Sequence, residues 1–356
     1  MITAMKTDIK TLKIAVYGAG AMGTVLGALL TKGGLTNVQL ITRNESHVTA
    51  LKTKGATLRC SAENKQIKTA VSALFPYEMQ GKYDVVFLMT KQRANRETLT
   101  DLLPYLHENS VVCTTQNGLP EISVAEVVGN ERTYGAVTSF GATFIGEGEV
   151  EMTSKFAAMT MEVGGYDNNG EKTALLTEIL SYAGNAVGNI AFAKGTDNLA
   201  GARWSKLAIN AAFSGLSTLT GLTFGKVAQK KKTRKLALAI IRECIAVANA
   251  NGVSLAKMQG HDVEKLLGGN TALKRMTAYV LLPYAMRKHK RLLSGMLKDL
   301  QNGKKCEIDY VTGLVCREGA KCGVETPVCK QVVEMVHGIE NGLYEIDYKN
   351  TDFFEL

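Results

Sequence analysis

Six residues near the start of the chain have the types and the spacing of a phosphate-binding turn. The pattern GxGxxG is formed by Gly18, Ala19, Gly20, Ala21, Met22 and Gly23, between an apolar β-rich run and a helical pattern. The first glycine allows a tight bend, the second lets the backbone approach a pyrophosphate, and the third lets the helix pack closely on the strand. The N-terminus of the helix adds N–H groups and a partial positive charge. The segment therefore predicts a dinucleotide-binding site.

The next strand ends in a cation, at a position that helps to select the cofactor. NAD sites commonly place an acid there for the ribose 2′-hydroxyl, whereas NADP sites use a cation for the 2′-phosphate. Here the sequence is Thr42-Arg43-Asn44, and the planar guanidinium of Arg43 suits a phosphate. We therefore predict NADPH as the cofactor. The alternative is that Arg43 is only a surface arginine in a loop.

Two further polar residues follow predicted strands where the ligands of parallel sheets bind. Lys91 follows the strand at 84–90, and Asn117 with Gly118 ends the run at 110–118. Ligands of doubly wound sheets lie outside the carboxyl ends of the strands, so both side chains are expected near the nicotinamide half of the cofactor. Asn117 before Gly118 could instead be a simple turn pair.

A helical segment in the second half of the chain carries three polar residues on one face. Lys206, Asn210 and Ser214 recur at intervals of four, while Leu207 and Ile209 point elsewhere. A lysine followed by an amide and a hydroxyl could give a proton and hydrogen bonds to a keto acid. Partial burial would lower the pKa of the lysine toward the working range. The alternative is a lysine whose stem lies on apolar surface while its ammonium reaches solvent.

Two carboxylates, Glu307 and Asp309, flank an isoleucine further along the chain. An acid here could pair with Lys206 or hold a substrate hydroxyl. Alternatively, both acids begin the next helix, where they would interact with the positive end of the helix dipole. Sequence spacing leaves open whether they meet Lys206.

The first half of the chain predicts the parallel sheet that would position these residues. Short apolar runs alternate with helical patterns, giving strands at 13–18, 37–43, 84–90 and 110–118 and helices at 22–34, 47–55 and 95–106. This alternation predicts a sheet wound with helices on both faces. Strand-like runs separated by glycines after residue 131 predict further strands, so that the sheet ends mixed.

The pattern changes near residue 197. The segment GTDNLAGARW is polar and small, and helical patterns follow at 204–219, 234–252, 273–286 and 328–345. We therefore predict an α/β fold with two domains. The first is a doubly wound NADP-binding domain over residues 12–196. The second is an all-helical domain over residues 197–350, which we expect to carry catalytic residues and to form the contact of a homodimer.

Composition and charge narrow the class of protein. No run approaches the ~20 apolar residues of a membrane span, and the first twelve residues lack the apolar run of a secretory signal, so we expect a cytoplasmic protein without membrane contact. The seven cysteines show no metal-ligand spacing, which predicts reduced thiols and no metal. The net charge of +9 suits anionic partners. Two basic runs, 230–235 and 287–291, lack interleaved aromatics and indicate solvated helix faces rather than a nucleic acid surface.

The order and spacing of these motifs resemble the ketopantoate reductase (2-dehydropantoate 2-reductase) family. The similarity rests on GAGAMG at 18–23, Lys91, QNG at 116–118, WSKLAIN at 204–210, and MLKDL at 296–300 followed by EIDY at 307–310. It implies a Rossmann domain joined to a helical domain similar to that of 6-phosphogluconate dehydrogenases. It also implies NADPH-dependent reduction of 2-dehydropantoate to (R)-pantoate, a step of pantothenate and coenzyme A synthesis.

The resemblance implies roles for individual residues. Lys206 matches the general acid, and Glu307 matches a carboxylate near substrate and cofactor. Asn210 matches a substrate-binding amide, and Asn117 matches the asparagine between nicotinamide and substrate. Two positions match cations near the adenosine phosphate: Arg43 and Lys91.

Three positions depart from the family pattern of polar substrate contacts. The family pattern has asparagine at the positions of Ser214 and Phe224 and serine at the position of Gly295. A serine, Ser294, directly precedes Gly295. Because one polar contact can discriminate strongly between analogues, a different 2-keto acid is an alternative substrate. The sequence also leaves open a noncatalytic NADPH-binding sensor and, from the basic run 230–235, a nucleic acid binder.

Overall fold

The computed structural model describes residues 8–258 and 260–355. The chain divides into two compact units. The first contains the residues up to Gln116 and Pro120–Leu199, and the second contains Asn117–Leu119 and the residues from Ala200 onward. The first unit is built on a largely parallel sheet and the second is helical, so the predicted α/β fold class is confirmed. The cytoplasmic expectation rested partly on the first seven residues, which lie outside the described ones.

The strands of the first unit form two sheets. They are β1 (Ile14–Tyr17), β2 (Val38–Ile41), β3 (Ala56–Cys60), β4 (Lys65–Thr69), β5 (Ser72–Leu74), β6 (Tyr83–Leu88), β7 (Leu106–Thr114), β8 (Thr133–Thr138), β9 (Ala142–Gly146), β10 (Glu149–Met152), β11 (Met161–Gly165) and β12 (Ala193–Gly195). The large sheet has the order β12-β11-β8-β7-β6-β1-β2-β5, and the small sheet has the order β4-β3-β10-β9. The large sheet is parallel except where β11 pairs antiparallel with β8, so it ends mixed as predicted.

Helices cover both faces of the large sheet. In this unit they are α1 (Ala21–Lys32), α2 (Glu45–Lys54), α3 (Asn95–Leu102), α4 (Glu121–Val128) and α5 (Thr173–Asn185). Neighbouring residues of one central strand enter different apolar clusters, since Val16 packs with α1 and α5 residues and Tyr17 packs with α3 and α4 residues. Strands buried on both faces are expected to be continuous apolar runs, which is how β1 and β6 read.

The hairpin formed by β3 and β4 and the short edge strand β5 were not predicted from the sequence. Strand β4 reads KQIKT and is largely exposed, so it lacks the apolar alternation that identifies a strand. Buried His47 joins α1 to the turn between β9 and β10 in the four-stranded sheet. Its Nε2 lies 3.0 Å from Thr24 Oγ1, and its Nδ1 accepts a 2.9 Å hydrogen bond from the Gly148 amide. Burial lowers the pKa of His47, which favours the neutral imidazole that these contacts use.

The second unit packs its helices around one apolar cluster. They are α6 (Leu199–Thr220), α7 (Phe224–Gln229), α8 (Lys231–Ala250), α9 (Val263–Leu267), α10 (Ala272–Ala285), α11 (Gly295–Gln301), α12 (Thr312–Cys322) and α13 (Pro327–Glu340). Trp204 and Phe213 of α6 are both buried in this unit. The long helix α6 therefore lies at the centre of the second core.

Three local predictions were wrong. More than half of the segment 195–204 is helical, because α6 begins at Leu199 and buries Ala202 and Trp204. From the sequence, the basic run 230–235 is expected to lie just before an apolar helix. It instead forms the first turns of α8, since lysine and arginine are good helix formers whose charges stay near solvent. The sequence NIAFAK at 189–194 predicts a strand, but the strand found there, β12, is shorter and begins only at Ala193, because the first residues of the run form turns.

The remaining class expectations concern membranes and metals. Among the described residues, no helix combines the length and apolar character needed to cross a bilayer. The seven cysteines are free thiols and five of them are buried. Within residues 8–258 and 260–355, no three His, Cys, Asp or Glu side chains are arranged to hold a metal ion.

Candidate active site

The glycine turn joins β1 to α1 and depends on the absence of side chains at two positions. Gly18 has φ +104°, and a Cβ there would lie 2.6 Å from the backbone of Met89 and Thr90. A Cβ on Gly23 would lie 2.4 Å from the carbonyl oxygen of Gly18. Gly20 differs, because nothing lies within 4 Å of the position its Cβ would occupy. It precedes α1 and makes no side-chain cap, so the helix N-terminus faces open space suited to a pyrophosphate.

Arg43 lies just beyond β2 and forms ion pairs with two acidic residues of α3. Its Nη2 is 3.3 Å from Glu97 Oε1 and 4.0 Å from Asp101 Oδ2, and its side chain is 62% exposed. The positive charge of Arg43 also acts on Tyr17, at the end of β1. Burial raises the pKa of Tyr17, and the charge of Arg43 acts in the opposite direction and lowers it. The structure thus groups one cation with two carboxylates at the carboxyl ends of β1 and β2.

Lys91 and Asn117 follow β6 and β7 at the carboxyl edge of the large sheet, and both are exposed. Adjacent parallel strands end at the same edge of a sheet, and the last residues of β6 and β7, Leu88 and Thr114, are paired there. Asn117 begins the segment Asn117–Leu119 that groups with the second unit. Leu119 packs against the apolar cluster of that unit.

A buried amide pair that sequence analysis missed supports these two loops. Gln116 Nε2 donates to Asn95 Oδ1 at 2.7 Å, and Asn95 Nδ2 donates back to Gln116 Oε1 at 3.0 Å. Gln116 also donates to the Thr90 carbonyl at 2.7 Å, and Asn95 donates to Ser123 Oγ at 2.9 Å. The residues directly before Asn117 and Lys91 are therefore joined. The available signal was the polar end of an otherwise apolar strand, in the letters TTQN.

The polar face of α6 is present in the second unit. Lys206, Asn210 and Ser214 are half-buried, whereas the intervening Leu207 and Ala211 are fully buried. Burial lowers the pKa of Lys206 to about 7, and the positive charge of Arg203 contributes in the same direction. A lysine of this kind exchanges its proton near neutral pH.

Glu307 and Asp309 lie in a short turn between α11 and α12 rather than in the next helix. Glu307 is half-buried and precedes the 3₁₀ turn Ile308–Tyr310, while α12 begins at Thr312. The two acids differ in their surroundings. Asp309 Oδ1 lies 2.9 Å from His337 Nε2, so its partner is a histidine of α13.

Two hydrogen-bonded anchors attach the neighbouring segments to α6. Thr312 Oγ1 donates to the carbonyl of Ala211 at 3.3 Å, one residue after Asn210. Ser294 is buried, accepts from Thr218 Oγ1 at 3.2 Å, and caps α11 by accepting from the Met296 amide at 3.1 Å. The structure therefore attaches the starts of α11 and α12 to the helix that carries Lys206. These bonds give Ser294 a clear structural role.

Phe224 has apolar surroundings, and Gly295 has open space around it. Phe224 begins α7 and packs on Phe213 with ring centroids 5.7 Å apart, so it extends the core of the unit. Gly295 leaves open space, since nothing lies within 4 Å of the position of its Cβ. At these two positions the chain therefore has an aromatic ring and a residue without a side chain.

Two family profiles match the chain. The ketopantoate reductase PanE/ApbA profile matches residues 14–166, and the ketopantoate reductase PanE/ApbA C-terminal profile matches residues 198–340. A 2-dehydropantoate 2-reductase of Lactococcus lactis subsp. lactis (strain IL1403) is 28% identical over 334 residues, which cover 92% of this chain and 98% of that protein.

Solved structures share the fold over nearly the whole chain. The crystal structure of a PanE/ApbA family ketopantoate reductase from Ralstonia eutropha JMP134 gives a TM-score of 0.75 at 26% identity, covering 93% of this chain and 99% of that one. A complex of D-mandelate dehydrogenase with NADH gives a TM-score of 0.73 at 25% identity, covering 94% and 100%. The two profiles together span most of the sequence, and both units carry the expected folds. The chain therefore belongs to the ketopantoate reductase family of oxidoreductases.

Proposed function

We propose that this protein is an NADPH-dependent reductase that converts 2-dehydropantoate to (R)-pantoate. Bound NADPH would supply a hydride to the C2 ketone, a proton would go to the ketone oxygen, and NADP⁺ would be released. One observation carries the proposal. The pKa of Lys206 is lowered to about 7, and the helix that bears it accepts a hydrogen bond from Thr312, five residues after Glu307.

Lys206 is assigned as the general acid. A proton donor works best when its pKa lies near the operating pH, and such catalysis contributes about 10²- to 10⁴-fold in rate. Burial gives Lys206 that property. In its ammonium form it would protonate the oxygen as the hydride arrives at carbon.

The other polar residues would orient the substrate. Asn210 and Ser214 extend the Lys206 face along α6 and are half-buried, as a residue that contacts a bound acid would be. Asn117 belongs to the same compact unit as Lys206, which favours a role at the substrate as well as at the nicotinamide. Glu307 would hold a substrate hydroxyl or set the protonation state of Lys206. We assign Ser294 mainly to the position of α11, since it is buried and hydrogen bonded there.

The glycine turn and the sheet edge fit a nicotinamide dinucleotide. The space at Gly20 would admit the pyrophosphate, and Lys91 and Arg43 would contribute positive charge along the adenosine half. Arg43 favours NADPH, but a 2′-phosphate would compete with Glu97 and Asp101 for its guanidinium. We therefore propose NADPH as the preferred cofactor with only a modest margin over NADH.

A second candidate is reduction of a different 2-keto acid by the same mechanism. It is favoured by Phe224 and Gly295, which replace polar contacts with an aromatic ring and open space. The similar fold of D-mandelate dehydrogenase, an enzyme named for an aromatic hydroxy acid, makes an aromatic 2-keto acid the natural competitor.

We also propose a cytoplasmic homodimer. Four exposed apolar residues recur at three- and four-residue intervals on α10: Leu273, Met276, Val280 and Tyr284. They share one helix face that a second copy of the chain would cover. Light scattering should report a dimer, and Met276→Glu should give a monomer. A wild-type monomer at micromolar concentration would contradict this part of the proposal.

The test is NADPH oxidation by the purified protein, followed by near-ultraviolet absorbance. Substrates should include 2-dehydropantoate, benzoylformate and pyruvate, with NADH as the second cofactor. Preferential turnover of 2-dehydropantoate is expected. Preference for benzoylformate would move the second candidate to first place, and binding of NADPH without turnover of any keto acid would refute a reductase function.

A further inference from the structure

His337 on α13 joins the carboxylate of Asp309, in the Glu307 turn, to the carboxylate of Glu340, on its own helix. Its Nε2 is 2.9 Å from Asp309 Oδ1, and its Nδ1 is 3.0 Å from Glu340 Oε2. The other oxygen of Glu340 accepts a 2.8 Å hydrogen bond from the Cys306 amide. A continuous chain of hydrogen bonds therefore runs from the residue before Glu307 to the residue two positions after it.

The turn is held from other directions as well. Arg317 of α12 donates to the Asp309 carbonyl at 2.8 Å. Cys306 and Ile308 are buried in the helical core, and Glu307 between them is half-buried. With both neighbours of Glu307 fixed and α13 tied to the turn, the backbone of Glu307 has little freedom to shift.

The electrostatics favour a charged imidazole at the centre of this chain. Burial alone would lower the pKa of His337, but the hydrogen bonds and charges of Asp309 and Glu340 outweigh it and raise the pKa above its ordinary value. The pKa of Glu340 is lowered, since the Cys306 amide and His337 stabilise its charge more than burial opposes it. The imidazolium can donate from both nitrogens at once, as two carboxylate partners require.

We propose that His337, together with Asp309 and Glu340, is a positioning residue that fixes Glu307 for the reduction of the keto acid. The inference rests on the proposed function, in which Glu307 acts at the substrate. His337 does not touch the substrate in this scheme. It acts through the backbone of the turn.

The test compares three variants of the full-length protein. His337→Leu removes both hydrogen bonds, His337→Gln retains a donor for at least one carboxylate, and Glu334→Gln changes an exposed acid on the same helix as a control. We expect His337→Leu to lower kcat about 10- to 100-fold while the Kd for NADPH changes less than twofold, because small misplacements of a catalytic group are costly. His337→Gln should recover part of the loss, and Glu334→Gln should match the wild type.

Hydrogen–deuterium exchange of residues 303–312 supplies a readout that does not depend on catalysis. Faster exchange confined to this segment in His337→Leu supports the proposal. Unchanged exchange together with unchanged kcat overturns it, as does faster exchange throughout the helical unit, which would indicate general destabilisation. If the wild type reduces no keto acid, the proposed function fails, but the exchange pattern still decides whether His337 holds the turn.

Discussion

Gln116 and Asn95 exchange two hydrogen bonds through their side-chain amides, at 2.7 and 3.0 Å, beneath the loops that begin with Lys91 and Asn117. Both residues are buried, at 7% and 2% exposure. A reciprocal amide pair fixes the orientation of both partners, because each amide must present its oxygen to the other's nitrogen. The carboxyl ends of β6 and β7 are therefore held in one arrangement.

The first prediction concerns this pair. Asn95→Leu and Gln116→Leu should each lower the free energy of unfolding by about 1–3 kcal/mol, since each leaves a buried amide without its partner. The double variant should lose less than the sum of the two, because no orphaned amide remains. Urea denaturation measures all three. Strictly additive losses would show that the two amides are not energetically coupled, and Gln66→Leu on exposed β4 provides the control.

The second prediction separates the roles of two glycines of the turn, Gly20 and Gly23. Gly23→Ala should destabilise the protein by about 1–3 kcal/mol, since its Cβ would meet the Gly18 carbonyl at 2.4 Å. Gly20→Ala should leave stability nearly unchanged but weaken NADPH binding at least tenfold, because the methyl group would occupy the space for the pyrophosphate. Thermal unfolding and NADPH fluorescence measure the two effects. Gly146→Ala, also in open space but on β9, should alter neither. Unweakened NADPH binding by Gly20→Ala would place the phosphates elsewhere.

The third prediction follows from the pKa of Lys206, which burial lowers to about 7. Only the ammonium form donates a proton, so kcat/KM for keto acid reduction should fall about tenfold per pH unit above that pKa. The reverse oxidation needs the neutral amine and should rise over the same range. A flat profile for reduction between pH ~6 and ~9 would remove Lys206 from the role of general acid.

The same shift predicts a gain in stability when the lysine is removed. A folded-state pKa below the ordinary value of 10.5 means that the unfolded chain binds the proton more tightly, so this group destabilises the fold at neutral pH. Its contribution to the unfolding free energy rises as the pH increases from about 7 to about 10.5. Lys206→Met should raise the unfolding free energy at pH ~7 by about 1–3 kcal/mol and abolish turnover. Denaturant titrations at several pH values check this. A less stable Lys206→Met variant would mean that the contacts of the amine outweigh its desolvation.

The fifth prediction addresses cofactor choice at Arg43. Glu97→Gln with Asp101→Asn should raise the ratio of kcat/KM for NADPH over NADH about two- to fivefold, a small factor because the ion pairs are exposed. Arg43→Ala should lower this ratio about tenfold. Steady-state kinetics with both cofactors measure the ratio, and exposed Glu126→Gln on α4 is the control. An unchanged ratio in Arg43→Ala would place the selecting residue elsewhere.

Local periodicity was sufficient for much of this molecule. The glycine turn is specified by six adjacent residues, and the Lys206 face follows from the four-residue spacing of helix positions. Features that depend on contacts between elements were not accessible in the same way. Asn95 and Gln116 are 21 residues apart, and His337 is 28 residues from Asp309. No spacing rule connects such pairs, because the sheet edge and the packing of α13 bring them together.

The low pKa of Lys206 also changes what this side chain is chemically. A lowered pKa leaves part of the Lys206 population unprotonated near neutral pH, and an unprotonated lysine is a nucleophile toward carbonyl carbon. A slowly reduced 2-keto acid held beside it would therefore be exposed to imine formation. Reduction with borohydride would convert such an imine into a stable secondary amine at Lys206 of α6.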